Sequence, residues 1–296
     1  MYKKNKRYIL KEMPQRTPNF LLVGLGFISS RHLEAIHKIG GTVGARLDID
    51  QEKESSPSKE GLFFYNPISL ELSGAMRALP YVSICTPNDT HLELAKRFHA
   101  YGAHILVEKP AALSVAELQA YAGLDRVRFV LQLRYEEQLQ ALQQEWQEDP
   151  PKHLRMEFHV NRSDSYKSSW KTDPKRSGGV LFNIGFHYFD LMTWFFGEPT
   201  GVSNVTGDDV SEISGTVQFK NTTVDFSFSL KQQANNQTRA LIFGDTKLDL
   251  MPFFLSHHTD VYKDFVEGRG FTWQDCLTTT RLIESIKHDS VLPSVT

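Results

Sequence analysis

A chain of 296 residues, 40% hydrophobic and 23% charged, has the composition of an ordinary globular protein and material for one large or two medium domains. A formal net charge of −2 argues against a nucleic-acid partner, and no apolar run approaches the ~20 residues that cross a bilayer. The two cysteines, Cys85 and Cys276, lie far apart without metal-ligand spacing, which points to a reduced, cytoplasmic protein.

Residues 1–18 are basic, with Lys3, Lys4, Lys6, Arg7, Lys11 and Arg16, and read as a surface extension rather than a secretory signal. "NFLLVGLG" then predicts a strand. "ISSRHLEAIHKIG" predicts a helix with Leu33, Ile36, His37 and Ile39 near one face, stopped by Gly40 and Gly41. "TVGARLDID" is a second strand and "LPYVSICTPN" a short buried one. Asp89 or Thr90 can cap the helix "HLELAKRFHAYG", and "HILVEKP" is a strand ended by Pro110. Ser114 and Glu117 have capping-box spacing at the start of a helix to Tyr121, and "VRFVLQLRY" is one more strand. Apolar strands alternating with amphipathic helices predict a parallel sheet covered on both faces, a Rossmann-type domain over 19–140.

The character changes between Tyr135 and Asp149. "HLRMEFHV" alternates apolar and polar, and hairpins are expected around Lys220-Asn221 and Gly244-Asp245. This predicts a second α/β domain over 141–296 with a large, mostly antiparallel open sheet. A last helix, Thr272 to Lys287, can pack on either domain.

The stretch "LLVGLGFISSRH" carries the first functional signal. Gly24 would make a tight turn, Gly26 would let backbone approach a pyrophosphate, and Phe27 and Ile28 lead into the helix N-terminus. Ser29 replaces the third glycine of the usual G-x-G-x-x-G, and its hydroxyl can donate to phosphate. Asp48 ends the second strand 22 positions after Gly26 (48 − 26) and can accept from ribose hydroxyls, which favours NAD over NADP. Arg46 should point to the opposite sheet face from Leu47 and is not counted as a phosphate ligand.

"VSICTPNDTH", "ILVEKP" and "GGVLFNIGFHYFDLM" follow in order, and together they resemble the Gfo/Idh/MocA family, glucose–fructose oxidoreductases and inositol dehydrogenases among them. "SYKSSWKTDPKRSGGVLFNIGFHYFD" and "FVEGRGFTWQD" are similar to its UDP-N-acetylglucosaminuronate 3-dehydrogenase branch, which serves surface polysaccharide biosynthesis. The resemblance implies a nicotinamide cofactor and a homo-oligomer formed through the C-terminal sheet. It also implies a cis Lys109–Pro110 peptide. Many members carry aspartate four residues before the catalytic histidine, and Asn183 stands there.

Lys109, at the end of a parallel strand, is expected to touch both the reacting hydroxyl and the cofactor, and Glu108 beside it to belong to the cofactor site. His187 is expected to be the general base, since an imidazole titrates near neutrality. Asn183, His187 and Asp190 fall at spacings of four and three on one apolar helix, which suggests an internal site. No second histidine stands at ligand spacing, so no metal is expected there. Thr86, Asn88 and His91 should line the nicotinamide half of the site, whereas Cys85 reads as a small buried residue. Arg162, Lys167, Lys171, Lys175 and Arg176 oppose only Asp164 and Asp173, with Tyr166 and Trp170 interleaved. With Arg134, that cationic segment suits a UDP-sugar uronate, which offers diphosphate, carboxylate and a stacking base. A free sugar or cyclitol dehydrogenase, or a non-catalytic cofactor-binding regulator, are the alternatives.

Overall fold

The computed structural model describes residues 17–55, 60–231, 237–253 and 256–288; the basic extension lies almost wholly outside them. Within the described residues, β1 (Asn19–Val23), β2 (Thr42–Leu47), β3 (Leu62–Phe64), β4 (Tyr81–Ile84), β5 (His104–Val107) and β6 (Val127–Phe129) form a parallel six-stranded sheet. Its order is β3-β2-β1-β4-β5-β6. The order reverses between β1 and β4, and the carboxyl ends of those strands frame the crevice where such sheets bind ligands.

The helices α1 (Ser29–Lys38), α2 (Pro67–Leu72), α3 (His91–Ala100) and α4 (Val115–Gln119) cover this sheet. The expected capping of α4 is present: Ser114 Oγ accepts from Glu117 N at 3.0 Å, and Glu117 Oε2 accepts from Leu113 N at 2.8 Å. Three local expectations fail. No side chain caps α3, because the Thr90 hydroxyl donates back to Pro87 O at 2.7 Å. The inner face of α1 is Ser29, His32, Ala35 and Ile36, whereas His37 is exposed and bonded to Glu60 at 2.6 Å. The strand expected from Val127 to Tyr135 stops at Phe129, which bridges to Phe271, and the chain then turns over Gln132–Tyr135.

After α5 (Glu137–Glu148) come β7 (His153–His159), α6 (Asp164–Lys167) and α7 (Pro174–Ser177). A π-turn over Leu181–Gly185 then opens into α8 (Phe186–Phe196). The strands β8 (Gly201–Gly207), β9 (Glu212–Gln218), β10 (Thr223–Ser229), β11 (Thr238–Phe243) and β12 (Thr246–Asp249) complete a second sheet, ordered β12-β11-β7-β10-β9-β8. Both expected hairpins form, β9–β10 and β11–β12. The sheet is mixed, because β7 and β10 lie parallel at its centre. Leu154, Met156 and Phe158 of β7 and Val224, Phe226 and Phe228 of β10 alternate inward against α8, where Phe189 meets Phe226 at 5.3 Å between ring centroids. Each such buried aromatic contributes about 1.5–3 kcal/mol. The other face is polar, with His153 and Thr216 bonded to Asp225 at 2.8 and 2.7 Å.

Two last helices follow, α9 (His258–Val266) and α10 (Leu277–His288). α9 crosses back onto the first domain, packing on α1 with Tyr262 against Phe20 and His32. α10 lies against both α4 and α8, so the last helix braces both domains. No helix among the described residues is long and apolar enough to cross a membrane.

Candidate active site

The turn between β1 and α1 is built for close approach. Gly24 has φ +83°, and a Cβ there would stand 2.8 Å from the Cys85 carbonyl. Gly26 faces open space, and no side chain caps the N-terminus of α1. Phe27 is 77% exposed at the mouth. Asp48 Oδ2 accepts from Leu25 N at 2.6 Å and Oδ1 from Asp50 N at 2.9 Å, which fixes the carboxylate beside the loop with lone pairs to spare for ribose hydroxyls. A free helix N-terminus, an open glycine and a carboxylate at the end of β2 fit a nicotinamide dinucleotide. The Ser29 hydroxyl, expected to face phosphate, instead donates to Gly26 O at 2.6 Å. Arg46 is buried with Nε on Glu60 O at 2.8 Å, away from the loop as expected.

Across the crevice, the residues after β4 serve structure more than expected. Asn88 is buried and donates to Ser177 O at 2.8 Å, joining the two domains. His91 is fully buried, with its ring nitrogens 2.9 Å from Pro110 O and 3.0 Å from Thr86 O, tying the loops after β4 and β5 together. Thr86 is half-buried, and its hydroxyl oxygen lies 2.7 Å from the Thr90 hydroxyl.

The Lys109–Pro110 peptide is cis. Lys109 Nζ reaches Asn183 O at 3.4 Å, and Asn183 Nδ2 donates to Tyr166 Oη at 2.9 Å. Burial lowers the pKa of Lys109; Glu108 opposes that shift, and the charges of Lys171 and Arg162 add to it. His187, on the first turn of α8 after the π-turn, is held well below the ordinary imidazole value by burial and by the Lys109 charge. A neutral imidazole beside a lysine can take a proton from a bound hydroxyl.

Arg134 and Asp190 are not part of this arrangement. Arg134 grips Asp190 through two bonds, at 3.0 and 2.7 Å, and donates to Asp275 O, so the guanidinium expected among the substrate ligands is a buried structural partner. Asp190 is thus committed to Arg134, and the Thr279 hydroxyl also lies 3.4 Å from its Oδ1. The π-turn that contains Asn183 breaks the regular spacing between Asn183 and the two α8 residues, and the simple spacing argument did not allow for it.

The cationic segment divides in two. Lys167 is exposed on Asp164 at 3.1 Å, Arg176 pairs with Asp89 at 3.2 Å, and Lys175 is exposed. Arg162 and Lys171, both half-buried, flank the Tyr166 ring at 4.8 and 5.5 Å, with Trp170 half-buried beside Lys171. Arg162 Nε is buried with no hydrogen-bond partner among the described residues. Arg162 and Tyr166 are functional candidates that the sequence presented only as members of a charged stretch.

Glu108, expected at the cofactor site, is buried behind Lys109 among His32, Tyr262 and His258, three partners that the sequence did not signal. His32 Nε2 is 2.9 Å from Glu108 Oε1, its Nδ1 is 2.8 Å from Tyr262 Oη, and His258 Nε2 is 3.7 Å from Glu108 Oε1. Burial works against the charge of Glu108, yet the imidazoles of His258 and His32 outweigh it and hold the carboxyl well below the usual range. A separate groove of about 220 Å³, lined by His104, Arg126, Arg128 and Phe265, opens at the opposite end of β5.

Two family profiles match the chain: an oxidoreductase family with an NAD-binding Rossmann fold over residues 18–127, and the GFO/IDH/MocA C-terminal domain over 138–247. Inositol 2-dehydrogenase of Rhizobium meliloti is 24% identical over 293 residues, covering 85% of this chain and 87% of that protein. An uncharacterized oxidoreductase of Synechocystis sp. is 26% identical over 202 residues, 62% of this chain and 53% of that protein. The solved WlbA (WbpB) dehydrogenase of Thermus thermophilus, in complex with NAD and α-ketoglutarate, is 28% identical with a TM-score of 0.84 over 94% of this chain and 97% of its own. The same enzyme with NAD and UDP-GlcNAcA superposes with a TM-score of 0.82.

Proposed function

The chain belongs to the Gfo/Idh/MocA family of NAD-dependent oxidoreductases, and from that premise we propose that it oxidises the C3 hydroxyl of a UDP-N-acetylglucosaminuronate-type sugar nucleotide to the 3-oxo sugar. The observation that carries this reading is the linked set Arg162, Tyr166, Asn183 and Lys109, which runs from a half-buried cation with an unpartnered nitrogen to the reactive lysine. A neutral polyol has no use for two half-buried cations beside the reacting carbon, whereas a diphosphate or carboxylate supplies their counter-charge. The 28% identical Thermus enzyme seen with UDP-GlcNAcA supports the same class of substrate. A nucleotide-sugar step of this kind suits the synthesis of surface polysaccharide.

When bound, the nicotinamide supplies a two-electron hydride acceptor. Asp48 would hold its adenosine ribose, and the uncapped N-terminus of α1 its phosphates. Neutral His187 removes the hydroxyl proton, and the Lys109 ammonium stabilises the alkoxide that forms. A second reading, oxidation of a free cyclitol, is favoured by the match to inositol 2-dehydrogenase along most of the chain. Kinetics of Arg162→Ala and Lys171→Ala separate the two. Under the sugar-nucleotide reading each raises KM for the UDP-sugar about tenfold or more, leaves NAD affinity unchanged, and weakens the salt dependence of KM. Unchanged KM in both variants refutes the proposed grip on an anion.

A further inference from the structure

Glu108, His32 and His258 are 6%, 0% and 4% exposed, yet nothing in the proposed mechanism uses them. His32 has both ring nitrogens engaged, by Glu108 and by Tyr262, and Tyr262 Oη lies 2.6 Å from Ser83 Oγ. One proton arrangement satisfies all four groups: His32 Nε2–H donates to the carboxylate, the Tyr262 hydroxyl donates to Nδ1, and the Ser83 hydroxyl donates to Tyr262. His258 differs. Neither of its ring nitrogens has a hydrogen-bond partner among the described residues, and Nε2 stands 3.7 Å from Glu108 Oε1. Buried polar groups are almost always paired, so an imidazole left in this state beside a carboxylate calls for a role.

Charge accounting suggests one. Oxidising the alcohol moves the C–H electron pair with its hydrogen onto the cationic nicotinamide ring, which becomes neutral, and breaks the O–H bond to release one proton. Glu108 stands directly before Lys109, so its buried negative charge loses a neighbouring positive charge at the moment a proton becomes available. We propose that Glu108 and His258 are the proton store of the reaction: the hydroxyl proton, taken first by His187, leaves that imidazole, which returns to neutral, and forms an N–H bond on His258 beside the Glu108 carboxylate, where it stays while the cofactor is reduced. No further co-reactant is needed. The inference rests on the reading that the nicotinamide lies at the carboxyl ends of β4 and β5.

The groups facing His258 agree with this. His32 of α1 meets it edge-on at 5.3 Å between centroids, and Glu108 faces it from the end of β5. Lys109, and His187 of α8, lie close enough for their charges to bear on the same pocket, and Tyr262 shares its helix. The ligand atoms of His32, Glu108 and His258 also lie within 4.8 Å of one another, a donor set that a divalent ion could take. A dication would have to break the His32–Glu108 bond and stand beside Lys109 and a cationic ring, so a single proton is the better occupant.

The test needs no sugar substrate. Titration calorimetry of the protein with NAD and with NADH near pH 7, in buffers of different ionisation enthalpy, gives the protons taken up with each nucleotide. NADH should take up about one more proton than NAD, and His258→Gln should reduce that difference to near zero. Nitrogen-15 histidine spectra of the unaltered protein provide a second readout, in which His258 becomes charged with NADH and is neutral with NAD. Equal proton uptake for the two nucleotides overturns the proposal, as does a difference that survives His258→Gln or stoichiometric zinc that His258→Gln removes. Failure of a nucleotide to bind appears as missing heat rather than as an equal proton count, and it overturns the placement of the nicotinamide and the store with it.

Discussion

At Asp48 a single carboxylate holds the Leu25 amide, and we propose that it also receives the ribose hydroxyls of the cofactor. Asp48→Ala should weaken NAD by about 1–3 kcal/mol, the scale of a hydrogen bond to a charged group, and erode the preference over NADP; isothermal titration with both nucleotides checks it. His187 gives a pH prediction. Burial and the Lys109 charge lower its pKa, so the base stays neutral to more acidic pH than an ordinary imidazole. The acid limb of kcat/KM should therefore inflect below pH ~6.5, and His187→Ala should cut turnover ~10²-fold while NAD still binds. An inflection above that value, or near-normal turnover in the variant, contradicts the assignment. The tight turn at Gly24, the place of Asp48 directly after β2 and the cis peptide after Lys109 could be anticipated from the sequence because each sits in a short motif. His32, Tyr262 and His258 could not. Their contact joins positions 230 residues apart, and a lone histidine on a helix looks the same whether it faces solvent or a carboxylate.

The elements that carry these residues depend on a few local constraints. Gly24→Ala puts a Cβ against the Cys85 carbonyl at a positive φ, and should cost about 2–4 kcal/mol in a urea titration and abolish tight NAD binding. The Arg134–Asp190 pair clamps the turn after β6 to α8, so Asp190→Ala, which strands a buried guanidinium, should destabilise the protein by about 3–5 kcal/mol. Thermal unfolding reads that loss. Alternating patterns revealed β7, β10 and both hairpins, because period two is visible within one segment. The parallel pairing of β7 with β10 was hidden, since it depends on which distant strand lies alongside. The π-turn before α8 was hidden too, and with it the altered spacing between Asn183 and His187.

For the molecule as a whole, two domains meet where β4 and β5 end, and α9 and α10 cross back to brace the joint. The polar outer face of the second sheet is the surface through which we propose self-association. Light scattering behind size-exclusion chromatography should give a dimer or tetramer, and a monomer at micromolar concentration refutes it. Lys109, His187 and the half-buried cations Arg162 and Lys171 are the basis on which we propose an anionic sugar nucleotide as substrate. The direct measurement is the rate of NADH formation with UDP-N-acetylglucosaminuronate, set beside the rates with myo-inositol and free glucose at equal concentration. The sugar nucleotide should be preferred by at least 10²-fold in kcat/KM, on the order of the ~3 kcal/mol that a desolvated charge pair can add to transition-state binding. Turnover of the UDP-sugar no better than that of myo-inositol would contradict the assignment.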